Sequence, residues 1–354
     1  MYRPALIIGL GGTGQWVLTW LKRNLMLSNN GKMPRTVRFI EIDTTQATEV
    51  RKLKISQNHS DEDNIEAEDY RLSPDEFIYI GGDSYDFTHR IRDGNLPQIS
   101  SWFAADNWLN TLPRSTFILE EGAGRLRQFG RLALFKDVIE GPASKILNAI
   151  NLALDSISLE VANQHSLDTY IIGSLSGGTG SGIVIDVALL VRNITNQLHI
   201  PSSIRAFLAL PSVFTPDPTR DVRARAFAAW REVNRFMVPL GEYSNQEISY
   251  ANDMPNIIAN QKLFDHCYLI DGKRMGKFVE PHRSTFPMVA EIIETLLDKE
   301  TGKEFNEFFL ANLVQEFAKH PDTPFYSTAS AFSIQVPDRV FLSKLYLAKQ
   351  VILT

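Results

Sequence analysis

The stretch YIIGSLSGGTGSGIVIDVALLVRN, Tyr170 to Asn193, decides how the rest of the chain is read. An apolar run, Tyr170 to Ile172, ends in a loop where Gly173, Gly177, Gly178, Gly180 and Gly182 interleave with Ser176, Thr179 and Ser181. Ile183 to Asn193 then continues as an apolar helix. Glycines that only end a strand come in ones and twos. This density means that something approaches the backbone closely, and a glycine turn opening a helix offers backbone N–H groups at the positive end of the helix dipole.

The same construction recurs. Ala5 to Ile8 reads as a buried strand, GLGGTGQ (Gly9 to Gln15) as a glycine turn, and Val17, Leu18, Leu21 and Leu25 recur at helical spacing. VRFIEI (Val37 to Ile42) alternates like a second strand, so the first 43 residues form a βαβ unit. Phe117 to Leu119 is expected to be a strand, EGAG a turn, and Phe129 onward a helix. Ser203 to Pro211 and His266 to Gly272 are expected strands. Between them runs an amphipathic helix with Val222, Ala226, Ala229, Val233 and Met237 on one face. Strands alternating with helices predict a doubly wound, mostly parallel α/β sheet.

Four loops are thus expected to follow apolar strands: GLGGTGQ, EIDTTQA (Glu41 to Ala47), EGAGRLRQFG (Glu121 to Gly130) and SGGTGSG (Ser176 to Gly182). In a parallel sheet the carboxyl ends of strands share one edge, where ligands bind. Glycine turns gathered there suit a di- or triphosphate. No loop matches GxxxxGK[ST], so charge balance falls to backbone dipoles and a bound Mg²⁺. GLGGTG alone also fits G-x-G-x-x-G, through Gly9, Gly11 and Gly14, with Asp43 as a ribose-binding acid. An oxidoreductase using NAD or FAD is therefore an alternative, although it leaves SGGTGSG idle.

These motifs, in this order, resemble those of the tubulin/FtsZ superfamily. SLSGGTGSG is similar to the tubulin signature loop, ALIIGLGGTGQWVL to the first nucleotide loop of FtsZ, and FIEIDTTQAT to the second, with Gln46 and Ala47 in register. GAGRLRQFGRLA resembles the third, sharing Gly122, Ala123, Gly124, Gly130, Arg131 and Ala133. LALPSVFTP resembles the segment beside the ribose, with Pro211 and Phe214 in place; Arg220 matches an arginine directed at the nucleotide, and HCYLIDG the strand that ends near the base. The nearest arrangement is that of bacterial proteins called tubulin-like.

The resemblance implies a Rossmann-like GTPase domain over residues 1–285, with an inserted region at about 55–116. A core helix and the start of a second α+β domain follow over 286–354. It implies GTP or GDP with Mg²⁺, and head-to-tail self-association into filaments. Gly11, Gly12, Thr13, Gly14 and Gln15 would approach the α- and β-phosphates. Ser176, Gly177, Gly178, Thr179, Gly180, Ser181 and Gly182 would cradle the β- and γ-phosphates, with the Thr179 and Ser181 hydroxyls as donors. Ala123 and Gly124 would sense the γ-phosphate, with Arg125 either a fixed cation beside it or a solvated loop arginine. Asp43 would sit near Mg²⁺, or it and Thr44 serve as a helix N-cap.

Two departures stand out. Where FtsZ has an asparagine that reads guanine, LIDGKR supplies Asp271 and Gly272; an aspartate can accept from guanine N1–H and N2–H₂. The acidic N-x-D-x-x-D loop that completes hydrolysis in FtsZ has no counterpart, the nearest acids being Glu304, Glu307 and Asp322. Catalytic residues are thus unassigned, and a nucleotide-regulated scaffold without catalysis is a further alternative.

Composition agrees with a folded chain: 354 residues, 44% hydrophobic, 22% charged, with a formal net charge of −5 that argues against nucleic-acid binding by bulk charge. Cys267 has no cysteine partner, and the seven histidines form no H-x-x-x-H pair, so no metal-ligating set is expected. A reducing cytoplasm is the expected compartment. No apolar run approaches the roughly 18 residues that cross a bilayer. SDEDNIEAED (Ser60 to Asp69) is expected to be a solvated loop, and WFAADNWL, around Trp102 and Trp108, to pack an excursion onto the domain. Beyond Phe286 come an expected helix (Met288 to Leu297), a second helical stretch, a strand AFSIQVP, and an apolar helix without a C-cap signal. The latter suggests a longer native polypeptide.

Overall fold

The computed structural model describes residues 2–46, 70–119, 122–124, 126–164, 166–238, 245–251, 254–274, 276–303 and 324–329. Strands β1 (Ala5–Leu10), β2 (Val37–Asp43), β3 (Phe77–Tyr79), β4 (Leu167–Ser174), β5 (Ser202–Ala209) and β8 (His266–Ile270) form one sheet in the order β3-β2-β1-β4-β5-β8. Every pairing in it is parallel. β6 (Gln246–Ile248) and β7 (Ile257–Ala259) make a separate antiparallel pair. The central strands β1 and β4 are buried along their whole length, as strands covered on both faces must be.

Alternation along each strand divides the core. Ala5, Ile7, Val37, Phe39, Tyr170, Ile172 and Phe207 face α1 (Gly11–Ser28) and α9 (Phe286–Leu297). Leu6, Ile8, Ile40, Ile171, Ala206 and Leu208 belong to the second core. That core also includes residues of α2 (Tyr85–Arg92), α3 (Pro97–Ser100), α4 (Ala105–Thr111), α5 (Arg127–Val138), α6 (Lys145–Gln164), α7 (Thr179–Gln197) and α8 (Arg220–Met237). Ala226, Ala229, Val233 and Met237 are buried on the inner face of α8, as their period requires. Among the described residues no helix is long and apolar enough to cross a membrane.

The expected βαβ start and doubly wound sheet are both present. Phe117 to Leu119, however, is not a sheet strand. Arg114–Phe117 is a 3₁₀ turn, and Ile118 makes only an isolated antiparallel bridge with Asp83. The edge position beside β2 is filled by β3, from the region expected to be an insertion. Phe117 instead joins an aromatic cluster, its ring 5.5 Å from Phe129. Trp102 and Trp108 pack there as expected, at 5.1 Å from Phe135 and 5.6 Å from Phe129. α6 and the β6–β7 pair add to the expected elements. The acidic segment 60–69 and the elements expected beyond residue 303 lie outside the described residues, apart from 324–329.

Beneath the sheet's amino edge, Asp168 pairs with Arg205 at 2.7 Å and Arg3 at 3.1 Å. His266 lies beside them, with Asp265 and Lys262 contributing smaller charges. Burial, reinforced by Arg205, lowers the His266 pKa from 6.5 to about 4. The folded state therefore holds the neutral imidazole while the unfolded chain protonates near pH 6.5. Stability is full above that pH, falls between about pH 6.5 and 4, and is flat in this respect below. The expected loss is about 3.5 kcal/mol in full, at about 1.4 kcal/mol per unit, of which about 2–3 kcal/mol is reached by pH 4.5. Urea denaturation at pH 7.5 and pH 4.5 measures it, and His266→Asn should remove that part of the slope. Burial pushes the Cys267 thiol up, consistent with an inert buried side chain.

Candidate functional site

The switch point of the sheet falls between β1 and β4, and a cleft opens over their carboxyl ends. It has two lobes that share Gly12, Thr13, Ser174 and Gly177. The first, about 410 Å³, is lined by Leu10–Thr13, Asp43, Thr45, Gly122–Gly124, Ser174 and Gly177–Gly180. The second, about 430 Å³, adds Trp16, Ser176, Pro211, Phe214, Thr215, Val222, His282 and Phe286. Three glycine turns from distant sequence positions thus meet at one edge. The turn at Gly122–Gly124 arrives there without following a sheet strand.

The first lobe is shaped by backbone. Gly11 adopts φ +65°, a conformation that costs a side chain dearly, and any Cβ there would lie 3.3 Å from the Gly180 nitrogen. α1 and α7 both begin at this lobe without a side-chain cap and without an acidic residue in the first turn, and α5 begins nearby in the same way. By contrast α2, α4 and α8 carry Asp86, Asp106 and Asp221 in their first turns. No lysine or arginine lines the first lobe among the described residues. Its attraction for anions therefore comes from peptide dipoles.

Asp43 is the one carboxylate among the described lining residues. Its Oδ1 accepts from the Thr44 N–H at 2.7 Å, the Thr45 N–H at 3.3 Å and the Thr179 hydroxyl at 3.1 Å. The Thr44 and Thr179 hydroxyls are 2.6 Å apart. Asp43 therefore ties the β2 turn to the start of α7 while still facing the cleft. Among the described residues no group of three or more His, Cys, Asp or Glu could hold a metal. One carboxylate fits a Mg²⁺ that arrives on phosphate oxygens and keeps its waters, not one caged by protein.

The second lobe is aromatic. The Trp16 and His282 rings are 4.4 Å apart, His282 and Phe286 5.3 Å, and Phe214 and Phe286 6.5 Å. Trp20 Nε1 donates to the His282 carbonyl at 3.0 Å, fixing the turn that carries these rings. Ser176 Oγ is buried at the junction of the lobes with no hydrogen-bond partner.

A family model described as "Tubulin like" matches residues 6–352. The chain belongs to this tubulin-like family. No curated protein matches the sequence. Among solved structures, CetZ from Methanosaeta thermophila strain DSM 6194 is 15% identical, covers 85% of this chain and 56% of its own, and aligns with a TM-score of 0.40. The GDP-bound monomer of CetZ1 from Haloferax volcanii is 14% identical, with 83% and 64% covered and a TM-score of 0.43. A GTPγS-form protofilament of TubZ from Bacillus thuringiensis serovar israelensis is 14% identical, with 84% and 57% covered and a TM-score of 0.39. The chain thus spans less than two thirds of the length of each.

In this tubulin-like chain most expected site residues converge. Gly11, Gly12, Thr13, Asp43, Gly122, Ala123, Gly124, Gly177, Gly178, Thr179 and Gly180 line the first lobe, and Ser176 and Pro211 the second. Others lie behind the lining. Gly9 and Gly14 pack against each other, where a Cβ on Gly14 would sit 2.5 Å from the Gly9 Cα. Thr44 and Ser181 are likewise outside the linings: the Thr44 hydroxyl bonds that of Thr179, a lining residue whose own hydroxyl donates to Asp43, and the Ser181 hydroxyl donates to the Gly177 carbonyl. Gln15, Gln46 and Gly182 are outside both linings. Arg220 opens α8 exposed, and Asp271 accepts from the Ser212 hydroxyl at 2.5 Å, neither lining a lobe. Arg125 lies outside the described residues.

Thr179→Val is expected to cost about 2 kcal/mol, because it strips the buried Asp43 of a hydroxyl donor at 3.1 Å. Thr179→Ser should recover most of the loss in a urea denaturation series.

Proposed function

We propose that this tubulin-like chain binds a guanine nucleotide, with the polyphosphate in the glycine-lined lobe and the nucleoside in the aromatic one. The observation that carries the reading is the meeting of two uncapped helix starts and the Gly122–Gly124 turn around a lobe that, among the described residues, is lined by no cationic side chain. Such a surface can hold several phosphate charges by N–H donation alone. Gly11–Thr13 and Gly177–Gly180 surround the phosphates, Ala123 and Gly124 meet the terminal one, and Asp43 faces a phosphate-borne Mg²⁺. Phe214, Phe286 and Trp16 offer ring faces to the base. Gln46, Arg220 and Asp271 act only if the cleft closes further over its ligand. Arg125 and Gln15 are assigned to the phosphate end on the family's pattern.

Isothermal titration with Mg·GTP and GDP, compared with Mg·ATP and NAD⁺, tests this. Saturable heat at tens of micromolar guanine nucleotide is expected. Silence with both guanine nucleotides ends the proposal, and hydride transfer with a nicotinamide cofactor replaces it with the oxidoreductase.

Hydrolysis is proposed to need a second copy. Among the described lining residues Asp43 is the only carboxylate, and it is already held by three donors, so it is poorly free to take a proton. GTP turnover rising more than linearly with protein concentration is the expected result. Binding without turnover at any concentration would instead make this a nucleotide-regulated scaffold. Head-to-tail stacking is an open, heterologous arrangement, and sedimentation with a slowly hydrolysed GTP analogue reads it. The proposed compartment is the cytoplasm. The proposed division places nucleotide binding in residues 1–285 and the link to a second domain in 286–354. α9 serves both, because Phe286, Val289 and Ile293 share a core with Val17, Leu21 and Leu25.

A further inference from the structure

Arg127 opens α5 just after the Gly122–Gly124 turn and lines neither lobe of the cleft. Its side chain, 17% exposed, spans two other helices. Nη1 and Nη2 donate to the Glu232 carboxylate on α8 at 2.5 and 2.6 Å. Nη2 also donates to the Ser181 carbonyl, in the first turn of α7, at 3.3 Å. A planar forked donor fixes a carboxylate in direction as well as in distance. One turn further along α5, Arg131 repeats the arrangement more deeply. It grips Asp186 of α7 through Nε and Nη2, at 2.8 and 3.0 Å, and the Tyr250 hydroxyl donates to the same carboxylate at 2.8 Å.

The backbone around Arg127 has little slack. A Cβ on Gly182 would lie 2.3 Å from the Arg127 carbonyl oxygen, so α5 and α7 meet main chain to main chain at this residue. The Leu126 N–H donates to the Ala123 carbonyl at 2.7 Å, which ties the turn to the residue immediately before Arg127. On its other side, a Cβ on Gly122 would lie 2.7 Å from Thr45 Oγ1. Gly122 and Gly124 give the turn φ values of +96° and +54° and few constraints of its own, so its anchors decide where its N–H groups point.

We propose that Arg127 is a positioning residue for the terminal phosphate. By joining Glu232 and the Ser181 carbonyl it fixes the start of α5, and so sets the Gly122–Gly124 turn against Gly177–Gly180. This rests on the guanine-nucleotide reading and refines it, because the terminal phosphate is placed at that turn. Loss of the clamp weakens a triphosphate selectively, since a diphosphate lacks the group that the turn meets. Arg131, set deeper and paired with the buried Asp186, holds the same two helices together further from the cleft.

The test compares Mg·GDP with the slowly hydrolysed Mg·GTPγS by isothermal titration of the full chain. Arg127→Gln is expected to raise the Kd for GTPγS at least about tenfold and that for GDP less than about threefold. Glu232→Gln separates positioning from mere charge. Removing a carboxylate makes the local field more positive and by charge alone would tighten GTPγS. Release of the Arg127 fork should instead weaken it about threefold or more. Glu232 is 53% exposed, so this variant carries the test if Arg127→Gln fails to fold. Arg192→Gln is the structural control. Arg192 makes the same kind of clamp near the far end of α7, to Asp265 at 3.1 Å and the Leu263 carbonyl at 3.3 Å. Its loss should lower stability and leave the ratio of the two Kd values unchanged. The proposal is overturned by equal weakening of both nucleotides, by no weakening, by tighter GTPγS binding in Glu232→Gln, or by a ratio that Arg192→Gln shifts as far. Wild-type protein that binds neither nucleotide ends the guanine reading and this refinement together; wild-type binding with an unshifted ratio in the variants ends the refinement alone.

Discussion

Gly177→Asp is expected to raise the Kd for Mg·GDP and Mg·GTP at least about 100-fold while leaving the melting temperature unchanged. Nothing lies within 4 Å of where a Cβ on Gly177 would sit, so the backbone accepts the side chain. Gly177 lines both lobes, so the new carboxylate stands where the phosphates are proposed to lie. Two unit charges 4 Å apart at an effective dielectric near 20 repel by about 4 kcal/mol, and a polyphosphate carries several. The helix starts that attract anions cannot offset a fixed negative charge inserted among them. Gly177→Asn, of the same shape and no charge, should weaken binding by less than about tenfold. Equal losses from both would mean that shape, not charge, governs this lobe. No loss from either would remove the phosphates from it.

Gly182→Ala should destabilise the fold by about 3–5 kcal/mol in urea denaturation. In an open helix the same change stabilises by up to about 1 kcal/mol, so the sign is diagnostic. Here a Cβ would lie 2.3 Å from the Arg127 carbonyl oxygen and 3.0 Å from the Arg131 nitrogen, both of them backbone atoms that cannot turn aside. Gly130 makes the reciprocal approach, its Cβ position 2.4 Å from the Gly178 carbonyl oxygen. α5 and α7 are therefore locked main chain against main chain. A neutral or stabilising Gly182→Ala would show that the two helices are not in this contact in solution.

Much of this was legible in sequence, and the parts that were not share a cause. The β1–turn–α1–β2 unit, β4 with its glycine loop, and the inner face of α8 follow from local periods. Glycines, however, are needed for two different reasons that sequence does not separate. Gly11 and Gly177–Gly180 line the cleft, whereas Gly9, Gly14 and Gly182 serve close packing. Likewise the hydroxyls of Thr179 and Ser181 look like phosphate donors but are bonded within the protein. β3 escapes notice because it is three half-buried residues long. Phe117 to Leu119 has strand composition, yet Phe117 is held in an aromatic cluster by tertiary contacts. The aromatic lobe draws Trp16, Phe214, His282 and Phe286 from three remote segments; the resemblance places Phe214 beside the nucleotide, and no spacing announces the other three.

α9 begins at a ring that walls the aromatic lobe, Phe286, and ends at Leu297, whose carbonyl receives the Arg3 N–H at 2.9 Å. Its 12 residues make a strut about 18 Å long. One tip touches whatever fills the lobe; the other is stitched to the chain's first residues and leads into the segment that continues the polypeptide. A rigid rod pinned in this way cannot yield only at its near tip, so a displacement of Phe286 reappears as a tilt at Leu297. On the proposed reading, a nucleoside that displaces Phe286 would act through α9 on the described residues just beyond it, Asp298 to Lys303.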